Sequence, residues 1–424
     1  MRSESTDTVI IGAGPAGLAM SKHLGDRRID HVLIERGAVA QRWRSERWDS
    51  LRLLTPNWQT RLPGHRYTGD DPDGYMTMPE VVAYFTDYAR SIDAPVHENT
   101  TVTSVATTAL GGYQVTTDQG SWTAPTVVLA TGACGRPIIP EAAAALPDGL
   151  LQLAPKDYRN PDQLPEGAVL VVGASASGLQ LAEEVHASGR PVTLAVGRHA
   201  RMPRTYRGMD IQWWLDSIGT LDLRYDEVSD LAARRTAPSS QLIGTPEHRS
   251  LDLGALAGQG VRLAGRLIGA GPDHVDFADD LAVTTADADA RLAKLLDRID
   301  SWIDERGAAP EMLAPDRPAP LVVAGGPTRL GLAESRLSTV VWATGYRPHM
   351  PWLDVAVIGD DGQLAHDGGV TSAPGLYALG LPFMRRRKST FIDGFGVDAA
   401  DIASHLSRHL AESAKDSRGA SHAR

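Results

Sequence analysis

Cysteine is almost absent from this chain. Cys134 is the single cysteine among 424 residues, so an internal disulfide, a Cys-x-x-Cys redox pair and a thiolate zinc cluster are all excluded. A reducing, cytoplasmic setting fits this cysteine usage best. Electron transfer through a pair of cysteines is excluded for the same reason, which narrows the redox chemistry open to the chain.

Excess positive charge and long apolar runs are also lacking. The 42 Lys and Arg residues face 52 Asp and Glu residues, a net charge of −10, which disfavours a nucleic acid or an anionic membrane as the main partner. Glycines and a proline interrupt the apolar residues near the N-terminus, so we expect neither a signal peptide nor a membrane span. A small molecule is the expected partner. The pattern predicts no metal site and leaves a homodimer open.

A glycine-rich turn near the N-terminus predicts a dinucleotide site. Residues 12–17 read G-A-G-P-A-G between an apolar strand, Thr8–Ile11, and a helix beginning at Pro15, the context in which G-x-G-x-x-G binds a pyrophosphate. A second strand, 31–34, ends in Glu35, whose carboxylate can accept ribose hydroxyls and repels a 2′-phosphate. The turn therefore predicts FAD or NAD rather than NADP. The predicted residues of this site are Gly12, Ala13, Gly14, Pro15, Ala16, Gly17, Glu35 and Arg36.

A second turn of the same kind predicts a different nucleotide. Residues 173–178 read G-A-S-A-S-G between a strand, 168–172, and a helix, 179–187. The following strand, 192–196, ends without an acid and is followed by Arg198, which suits a 2′-phosphate. This indicates NADPH, with an ordinary surface arginine as the alternative; Arg201 and Arg204 are further candidates for the same phosphate. The predicted residues of this site are Gly173, Ser175, Ser177, Gly178 and Arg198.

Two such strand–turn–helix units predict the fold class. We expect an α/β protein with two Rossmann-like dinucleotide-binding domains, the NADPH domain inserted into the FAD domain. The FAD domain is predicted at 1–157 and 321–424 and the NADPH domain at 158–320, with an Ala-Thr-Gly segment leaving each domain at 130–132 and 343–345. A nicotinamide then delivers hydride to a flavin. Oxygen, a quinone and a small organic oxidant all stay open as the final acceptor.

The order of the motifs resembles one family, the class B flavoprotein monooxygenases, which include the flavin-containing monooxygenases, the YUCCA enzymes and the Baeyer–Villiger enzymes. The resemblance rests on GAGPAG at 12, RWRSERWDSLRLLTP at 42–56, ATG at 130, YRNP at 158, ATGYRP at 343 and GFGVDAADIASHL at 394–406. It implies a glutathione-reductase-like fold and an enzyme using FAD and NADPH. It also implies a C4a-(hydro)peroxyflavin that oxygenates a small molecule at nitrogen, at sulfur or at a carbonyl.

The family fingerprint F-x-G-x-x-x-H-x-x-x-[FY]-[KR]-x-P is incomplete here. Tyr158, Arg159 and Pro161 match its end, but Ala154 stands at the histidine position. Asp148 and Leu150 stand at the phenylalanine and glycine positions. An NAD(P)H oxidase or a flavin-dependent reductase without oxygen insertion is therefore the alternative function, and a non-catalytic flavin-binding protein is a third.

The resemblance implies further site residues. Asn57 lies in the loop that faces the flavin in relatives, where its amide would hydrogen-bond the peroxide, although asparagine is also a common turn residue. Core packing is the alternative for Trp43 and helix capping for Asp393. Tyr206, Trp213 and Trp214 are candidates for the substrate side, and the basic run 385–388 for an anionic substrate, the NADPH phosphates or a solvated loop. The further cofactor residues implied are Trp43, Val102, Thr131, Gly132, Gly380 and Asp393.

Overall fold

The computed structural model describes residues 2–323 and 325–422, which form an α/β fold. Its helices are α1 (Pro15–Asp26), α2 (Gln41–Ser45), α3 (Met78–Ser91), α4 (Ala176–Ala187), α5 (Ile211–Ser217), α6 (Leu231–Arg235), α7 (Leu253–Gln259), α8 (Leu281–Glu305) and α9 (Ile392–His422). Short 3₁₀ turns cover Asn57–Gln59, Glu141–Ala145, Pro161–Gln163, Tyr225–Glu227 and Ala309–Glu311.

The strands are numbered along the chain. They are β1 (Arg2–Ser5), β2 (Thr8–Ile11), β3 (His31–Ile34), β4 (Arg61–Leu62), β5 (His65–Arg66), β6 (Val96–His97), β7 (Val102–Thr107), β8 (Tyr113–Thr117), β9 (Gly120–Ala124), β10 (Thr126–Leu129), β11 (Arg136–Pro137), β12 (Leu151–Leu153), β13 (Ala168–Val172), β14 (Val192–Ala195), β15 (Thr205–Tyr206), β16 (Met209–Asp210), β17 (Arg262–Ala264), β18 (Leu267–Ala270), β19 (His274–Phe277), β20 (Arg329–Gly331), β21 (Leu337–Trp342), β22 (Tyr346–Arg347), β23 (Leu353–Asp354), β24 (His366–Asp367), β25 (Val370–Thr371) and β26 (Leu376–Ala378).

The first glycine turn belongs to a seven-stranded sheet with the order β24-β25-β26-β10-β2-β3-β6. Strands β26, β10, β2, β3 and β6 run parallel, so their carboxyl ends meet at one edge. All four residues of β2 are buried, as expected for a central parallel strand covered on both faces. The turn after β2 therefore opens at the sheet edge where ligands bind in such folds.

The second glycine turn belongs to a separate five-stranded parallel sheet with the order β12-β21-β13-β14-β17. All five residues of β13 are buried, which is again typical of a central parallel strand. A third sheet has the order β1-β9-β8-β7-β23, and β18, β19 and β20 form a smaller one. We call the part of the chain built on the seven-stranded sheet the first unit and the part built on the five-stranded sheet the second unit.

The sheet pairings do not follow the predicted domain division. Strands β12 and β21 pair with each other and β21 pairs with β13, although the prediction assigned both to the FAD domain. Strand β20, at 329–331, likewise pairs with β19. The apolar strand at 337–342 thus completes the second sheet before the chain returns, and the boundaries predicted at 157/158 and 320/321 fall inside the second unit.

Most predicted elements are confirmed, with shifts at helix starts. Helix α4 begins at Ala176, three residues before the predicted start, because Ala176 and Ser177 fit its first turn and Ser175 takes the N-cap position. Helix α8 begins at Leu281 rather than Ala288; its first residues include Val283 and Thr284, which are weak helix formers, yet Leu281 and Thr285 are buried on the packed face. None of the described helices is long and apolar enough to cross a membrane.

Candidate functional site

In the first glycine turn, protein atoms fill the space at the Cβ positions of the first and last glycines but not at that of the middle one. Gly12 has φ +107°, and a Cβ there would lie 2.7 Å from the carbonyl oxygen of Ala130. A Cβ on Gly17 would lie 1.9 Å from the carbonyl oxygen of Gly12. A Cβ on Gly14, by contrast, would meet no atom within 4 Å. Protein packing therefore explains the glycines at 12 and 17, whereas no protein atom occupies the space beside Gly14.

The helix behind this turn offers free donors. Gly14 is the N-cap residue of α1 and no side chain caps that end, nor does any side chain cap α4 at Ser175. The N-termini of α5, α6 and α7, in contrast, are capped by Asp210, Asp230 and Asp252. Uncapped N–H groups at a helix N-terminus form a ready site for a phosphate. Helices α2 and α8 also lack a side-chain cap, but only α1 and α4 follow a glycine turn at the end of a buried parallel strand.

Glu35 sits against the first turn as predicted. Its side chain is buried, one carboxylate oxygen accepts a hydrogen bond from the Ala13 N–H at 2.9 Å and the other accepts one from the Gly37 N–H at 3.3 Å. An ionised carboxylate has about four acceptor positions, so positions remain for ribose hydroxyls. Arg36 points to solvent and forms an ion pair with Glu46.

Several other predicted residues lie around the same turn. Gly132 has φ +74° and open space at its Cβ position, and the Cα of Thr131 lies 3.4 Å from where a Cβ on Gly12 would be. A Cβ on Gly380 would lie 3.2 Å from the Cβ of Ala16 in the first turn of α1. The structure thus brings together three segments that are far apart in the chain.

Val102 and Trp43 lie near the first turn, because residues next to them in sequence are hydrogen-bonded to it. The Thr100 N–H donates to the Glu35 carbonyl at 2.9 Å, which places Val102, at the start of β7, close to the ribose side. Helix α2 begins after Ala40, whose N–H donates to the Ala13 carbonyl at 3.1 Å. Trp43 in that helix packs against Phe85, with ring centroids 5.6 Å apart, and is only partly buried. Its packing role is thus shown, and its role beside the flavin stays a prediction.

The second turn repeats the geometry of the first. Gly173 has φ +108°, and a Cβ there would lie 2.4 Å from the carbonyl oxygen of Ala343; a Cβ on Gly178 would lie 1.8 Å from the carbonyl oxygen of Gly173. Each Ala-Thr-Gly segment therefore crosses the first glycine of its own turn. Ser175 and Ser177 are partly exposed in the first turn of α4, where their hydroxyls can reach a phosphate.

The two turns differ where the sequence predicts a difference. Val196, at the position that corresponds to Glu35, is fully buried. Arg198 is exposed and donates to the Thr236 carbonyl at 2.9 Å, and no carboxylate of the described chain lies within ion-pair distance of it. A cation without a partner at this position fits a 2′-phosphate.

Arg201 and Arg204 are wrong as phosphate ligands, because both are engaged in partly or fully buried ion pairs. Arg201 binds Asp252 at 2.7 Å and Asp289 at 2.6 Å. Arg204 is fully buried and binds Asp210 at 2.5 Å; it also donates to the Leu54 carbonyl at 2.8 Å. The hydrogen bond to Leu54 joins the second unit to the segment before Asn57, so Arg204 has a structural role.

The aromatic candidates for the substrate side pack in a core instead. Tyr206 and Trp214 are fully buried, and the Trp214 indole donates to the Tyr206 carbonyl at 2.7 Å. The Tyr206 hydroxyl donates to Asp300, and Trp213 packs edge-on against Trp214 with ring centroids 4.7 Å apart. Aromatic residues at helical spacing here stabilise the contact between α5 and α8.

Asn57 is buried, with its amide engaged on both sides. Its Nδ2 donates to the Asp71 carbonyl at 2.9 Å and its Oδ1 accepts from the Met76 N–H at 2.9 Å. These contacts hold the 71–76 loop in place, which matches the alternative role of Asn57 as a structural turn residue. The catalytic role of Asn57 stays a prediction, and the geometry favours the structural one.

Asp393 begins α9 inside an ionic cluster. Its carboxylate accepts from Arg61 at 2.9 Å and from Lys388 at 3.4 Å, and Lys388 also binds Asp222 of the second unit at 2.9 Å. Burial acts to lower the pKa of Lys388, but its hydrogen bonds and charge contacts with Asp222 and Asp393 outweigh burial, so the pKa is raised. The cluster fixes the first turn of α9 relative to the second unit.

Sequence reasoning missed one polar residue at the second turn. Gln241 is fully buried and its Nε2 donates to the Ala174 carbonyl at 2.7 Å, while its Oε1 has no hydrogen-bond partner in the described chain. Ala174 corresponds to Ala13, which Glu35 contacts in the first turn. The sequence carries no signal for this role, because Gln241 lies in an irregular segment far from the motif.

The part of the fingerprint that is present has a structural role. The Tyr158 hydroxyl donates to Glu184 at 3.0 Å, and Arg159 donates to the Arg47 carbonyl at 3.2 Å. The first bond lies within the second unit, and the second joins that unit to the segment after α2. Ala154 is buried, and its methyl group can neither donate a hydrogen bond nor carry charge.

Comparison with known proteins agrees with this geometry. Residues 9–218 match the family model described as pyridine nucleotide-disulphide oxidoreductase. The chain is 32% identical over 406 residues to an uncharacterized CzcO-like oxidoreductase of Geobacillus kaustophilus, covering 95% of this chain and 99% of the relative. It is 32% identical over 204 residues to the indole-3-pyruvate monooxygenase YUCCA6 of Arabidopsis thaliana, covering 45% of this chain and 48% of that protein.

A solved structure has the same fold. The flavin-containing monooxygenase from Stenotrophomonas maltophilia superposes with a TM-score of 0.67 at 19% identity, covering 96% of this chain and 99% of that one. The chain belongs to the family of CzcO-like oxidoreductases, and its matches to a YUCCA enzyme and to a flavin-containing monooxygenase agree with the predicted resemblance to the class B flavoprotein monooxygenases. The predicted family is thereby confirmed, and with it, at the level of the family, the cofactor pair FAD and NADPH.

Proposed function

We propose that this chain is an NADPH-dependent flavoprotein monooxygenase that oxygenates a small molecule at nitrogen, at sulfur or at a carbonyl. The observation that carries the proposal is the pair of matching glycine turns that differ in one respect. The first has Glu35 hydrogen-bonded to Ala13, and the second has buried Val196 followed by the unpaired Arg198. That difference supports FAD at the first turn and NADPH at the second.

The residues of the first turn fit a bound FAD. The open space at Gly14 admits a pyrophosphate to the backbone, and the uncapped N-terminus of α1 donates to it. Glu35 would accept ribose hydroxyls, and Gly132 leaves open space beside the turn. When bound, the flavin supplies two-electron chemistry between nicotinamide and oxygen; the protein binds, orients and excludes water.

The second turn fits NADPH in the same way. The N-terminus of α4 and the hydroxyls of Ser175 and Ser177 bind the pyrophosphate, and Arg198 binds the 2′-phosphate. The second unit is inserted between β10 and β26 of the first sheet, which supports the glutathione-reductase-like arrangement of two Rossmann-like domains. In this arrangement the two nucleotides meet where the units face each other. A cytoplasmic location and a homodimer stay predictions.

The absence of the fingerprint histidine favours one rival. With Ala154 at that position, oxygen reduction without transfer to a substrate gives an NAD(P)H oxidase, and a flavin-dependent reductase has the same cofactors. Both rivals use the same two turns. The difference between them and the monooxygenase lies in where the electrons go after the flavin.

The experiment measures whether the electrons of NADPH reach the flavin and then a substrate or hydrogen peroxide. The flavin-loaded protein is first mixed with NADPH without oxygen, where rapid bleaching of the flavin absorbance eliminates a non-catalytic binding protein. Amines, thioethers and ketones are then screened for NADPH use, with hydrogen peroxide measured in parallel. We expect at least one compound to be oxygenated while peroxide release falls well below NADPH use. Peroxide release equal to NADPH use with every compound overturns the monooxygenase assignment.

A further inference from the structure

A buried glutamine holds one carbonyl group of the second glycine turn. Gln241 lies in the irregular segment between α6 and α7, is fully buried, and its Nε2 donates to the Ala174 carbonyl at 2.7 Å. The segment is itself fixed around this residue. The Gln241 N–H donates to the Ala200 carbonyl at 2.8 Å, and the side chain of Gln180 in α4 donates to the Leu242 carbonyl at 3.1 Å. The backbone of Gln241 is therefore anchored on both sides of the side chain that contacts the turn.

The contact with Ala174 leaves one buried polar atom without a partner. The Oε1 of Gln241 accepts no hydrogen bond from the described chain, and a buried acceptor without a donor destabilises a fold. Turning the amide over would place Oε1 against the Ala174 carbonyl oxygen, and two acceptors cannot bond each other. Gln241 thus gains one hydrogen bond and leaves one acceptor unsatisfied, so it adds little to the stability of the fold.

The corresponding carbonyl of the first turn is held by a different group. The Ala13 carbonyl accepts from the Ala40 N–H at 3.1 Å, and Ala40 has φ +61°. This left-handed conformation is uncommon for a residue with a side chain and is unfavourable for it. A strained backbone in one turn and a buried amide with an unpaired oxygen in the other therefore hold the same carbonyl. The feature that the two turns share is the dinucleotide proposed for each of them.

Holding this carbonyl fixes the N–H group of the next residue. The Ala174 C=O and the Ser175 N–H belong to one planar peptide unit, in which they point in opposite directions. A hydrogen bond to the carbonyl also polarises the unit and strengthens its N–H as a donor. Ser175 has φ −84° and ψ −174°, and Gly14 in the first turn has φ −82° and ψ −177°. Neither N–H donates to a group of the described chain, and both stand at the start of a helix without a side-chain cap, where a phosphate binds.

We propose that Gln241 is a positioning residue of the nicotinamide-nucleotide site, which holds the peptide between Ala174 and Ser175 so that the Ser175 N–H binds the pyrophosphate. The inference rests on the proposed function and extends it to a residue far outside the glycine motif. Gln241 acts on the pyrophosphate, which NADP⁺ and NAD⁺ share, whereas Arg198 acts on the 2′-phosphate, which NAD⁺ lacks. The two residues therefore affect different sets of nucleotides.

The binding of three nucleotides tests this role without any turnover. The flavin-loaded protein is titrated by calorimetry with NADP⁺, NAD⁺ and adenosine 2′-monophosphate, which has the 2′-phosphate but no pyrophosphate. In Gln241→Met the side chain keeps its approximate size and loses its donor. We expect NADP⁺ and NAD⁺ to bind about threefold to tenfold more weakly and adenosine 2′-monophosphate to bind as in the wild type. Unchanged binding of NADP⁺ and NAD⁺ overturns the proposal, as does an equal loss for all three nucleotides.

Gln180→Met is the matched control. Gln180 is also buried and also donates its amide to a backbone carbonyl, but that carbonyl belongs to Leu242 and not to the turn. We expect Gln180→Met to leave the three affinities unchanged. If it weakens NADP⁺ as much as Gln241→Met does, the anchoring of the whole segment explains the loss and the role of Gln241 is overturned.

Urea unfolding and FAD titration separate positioning from a general loss of structure. Gln241→Met loses a hydrogen bond but also removes an unpaired buried oxygen, so the urea midpoint and the FAD affinity should stay close to those of the wild type. Gln241→Leu, a second apolar replacement, should give the same pattern with the three nucleotides. A purely structural role predicts the reverse in both variants, a lower midpoint with unchanged nucleotide affinity, and that result overturns the proposal.

The outcome is separable from the proposed function, because the titrations do not depend on oxygen transfer. An oxidase in which Gln241→Met weakens NADP⁺ and NAD⁺ alike refutes the monooxygenase and keeps the role of Gln241. A working monooxygenase in which Gln241→Met binds both nucleotides as the wild type does refutes that role and keeps the function.

Discussion

The open space at Gly14 leads to a sharp prediction about Gly14→Ala. A Cβ there meets no protein atom within 4 Å and the residue has φ −82°, so alanine fits the fold. Because alanine restricts the unfolded chain, the apoprotein should gain about 0.4–1 kcal/mol of unfolding free energy. The same methyl group occupies space that the pyrophosphate needs. Losing one charge-assisted hydrogen bond costs about 1.5–3 kcal/mol, which corresponds to roughly 10- to 150-fold weaker FAD binding.

Two glycines in the same helix provide the controls. Gly25 also has open space at its Cβ position, so Gly25→Ala should stabilise the apoprotein equally and leave FAD affinity unchanged. Gly17→Ala places a methyl group 1.9 Å from the Gly12 carbonyl oxygen and should destabilise the fold by about 1–3 kcal/mol or more. The assays are urea unfolding of the apoproteins and FAD titration by flavin fluorescence. Wild-type FAD affinity in Gly14→Ala refutes the placement of the pyrophosphate.

Three further predictions concern the nucleotide choice, an ion pair and a histidine. Arg198→Gln should weaken NADPH binding about tenfold or more and leave NADH binding unchanged; equal losses in a fluorescence titration would show that Arg198 does not bind the 2′-phosphate. Asp210→Asn leaves fully buried Arg204 without its anion and should lower the free energy of unfolding in urea by about 3 kcal/mol, whereas Asp226→Asn, at an exposed and solvent-screened pair, should leave it nearly unchanged. Burial and the charge of Arg235 lower the pKa of His366 from 6.5 to about 4. The folded state therefore binds this proton less readily than the unfolded chain, so stability is lost as the pH falls from 6.5 towards 4, by up to about 3 kcal/mol. His366→Gln should flatten the dependence of unfolding free energy on pH, and an unchanged dependence contradicts the shift.

The parts of the site that lie close together in sequence could be predicted. Strand, turn and helix are contiguous around residues 12–17 and 173–178, and the acid or arginine that distinguishes the nucleotides lies at the end of the next strand. These features obey local rules: glycine for a positive φ, an uncapped helix for a phosphate and an apolar run for a buried strand. The domain boundaries could not be predicted as well, because from its sequence the 337–342 strand could pair with either sheet. Only tertiary packing decides between the two sheets.

Side chains whose partners lie far away in sequence were beyond prediction. Arg201 and Arg204 lie a few residues after the strand β14, where a phosphate-binding arginine is expected. Only their ion pairs with Asp252, Asp289 and Asp210 show that their guanidinium groups are already paired within the protein. Asn57 is a polar residue in a loop, which would suit a catalytic role, but its side-chain amide is hydrogen-bonded to the backbone of Asp71 and Met76.

The basic run 385–388 is a further example of side chains whose partners lie far away in sequence. In sequence its four residues are equivalent, and a solvated loop is a fair interpretation of any of them. The structure separates them by acids from elsewhere: Asp398 and Asp401 on α9 bind two arginines, and Asp222 of the second unit binds the lysine. Arg387 differs because no acid of the described chain forms an ion pair with it. Asp222 reaches Lys388 only once the two units are packed together, so the pairing within this run could not be inferred from the sequence.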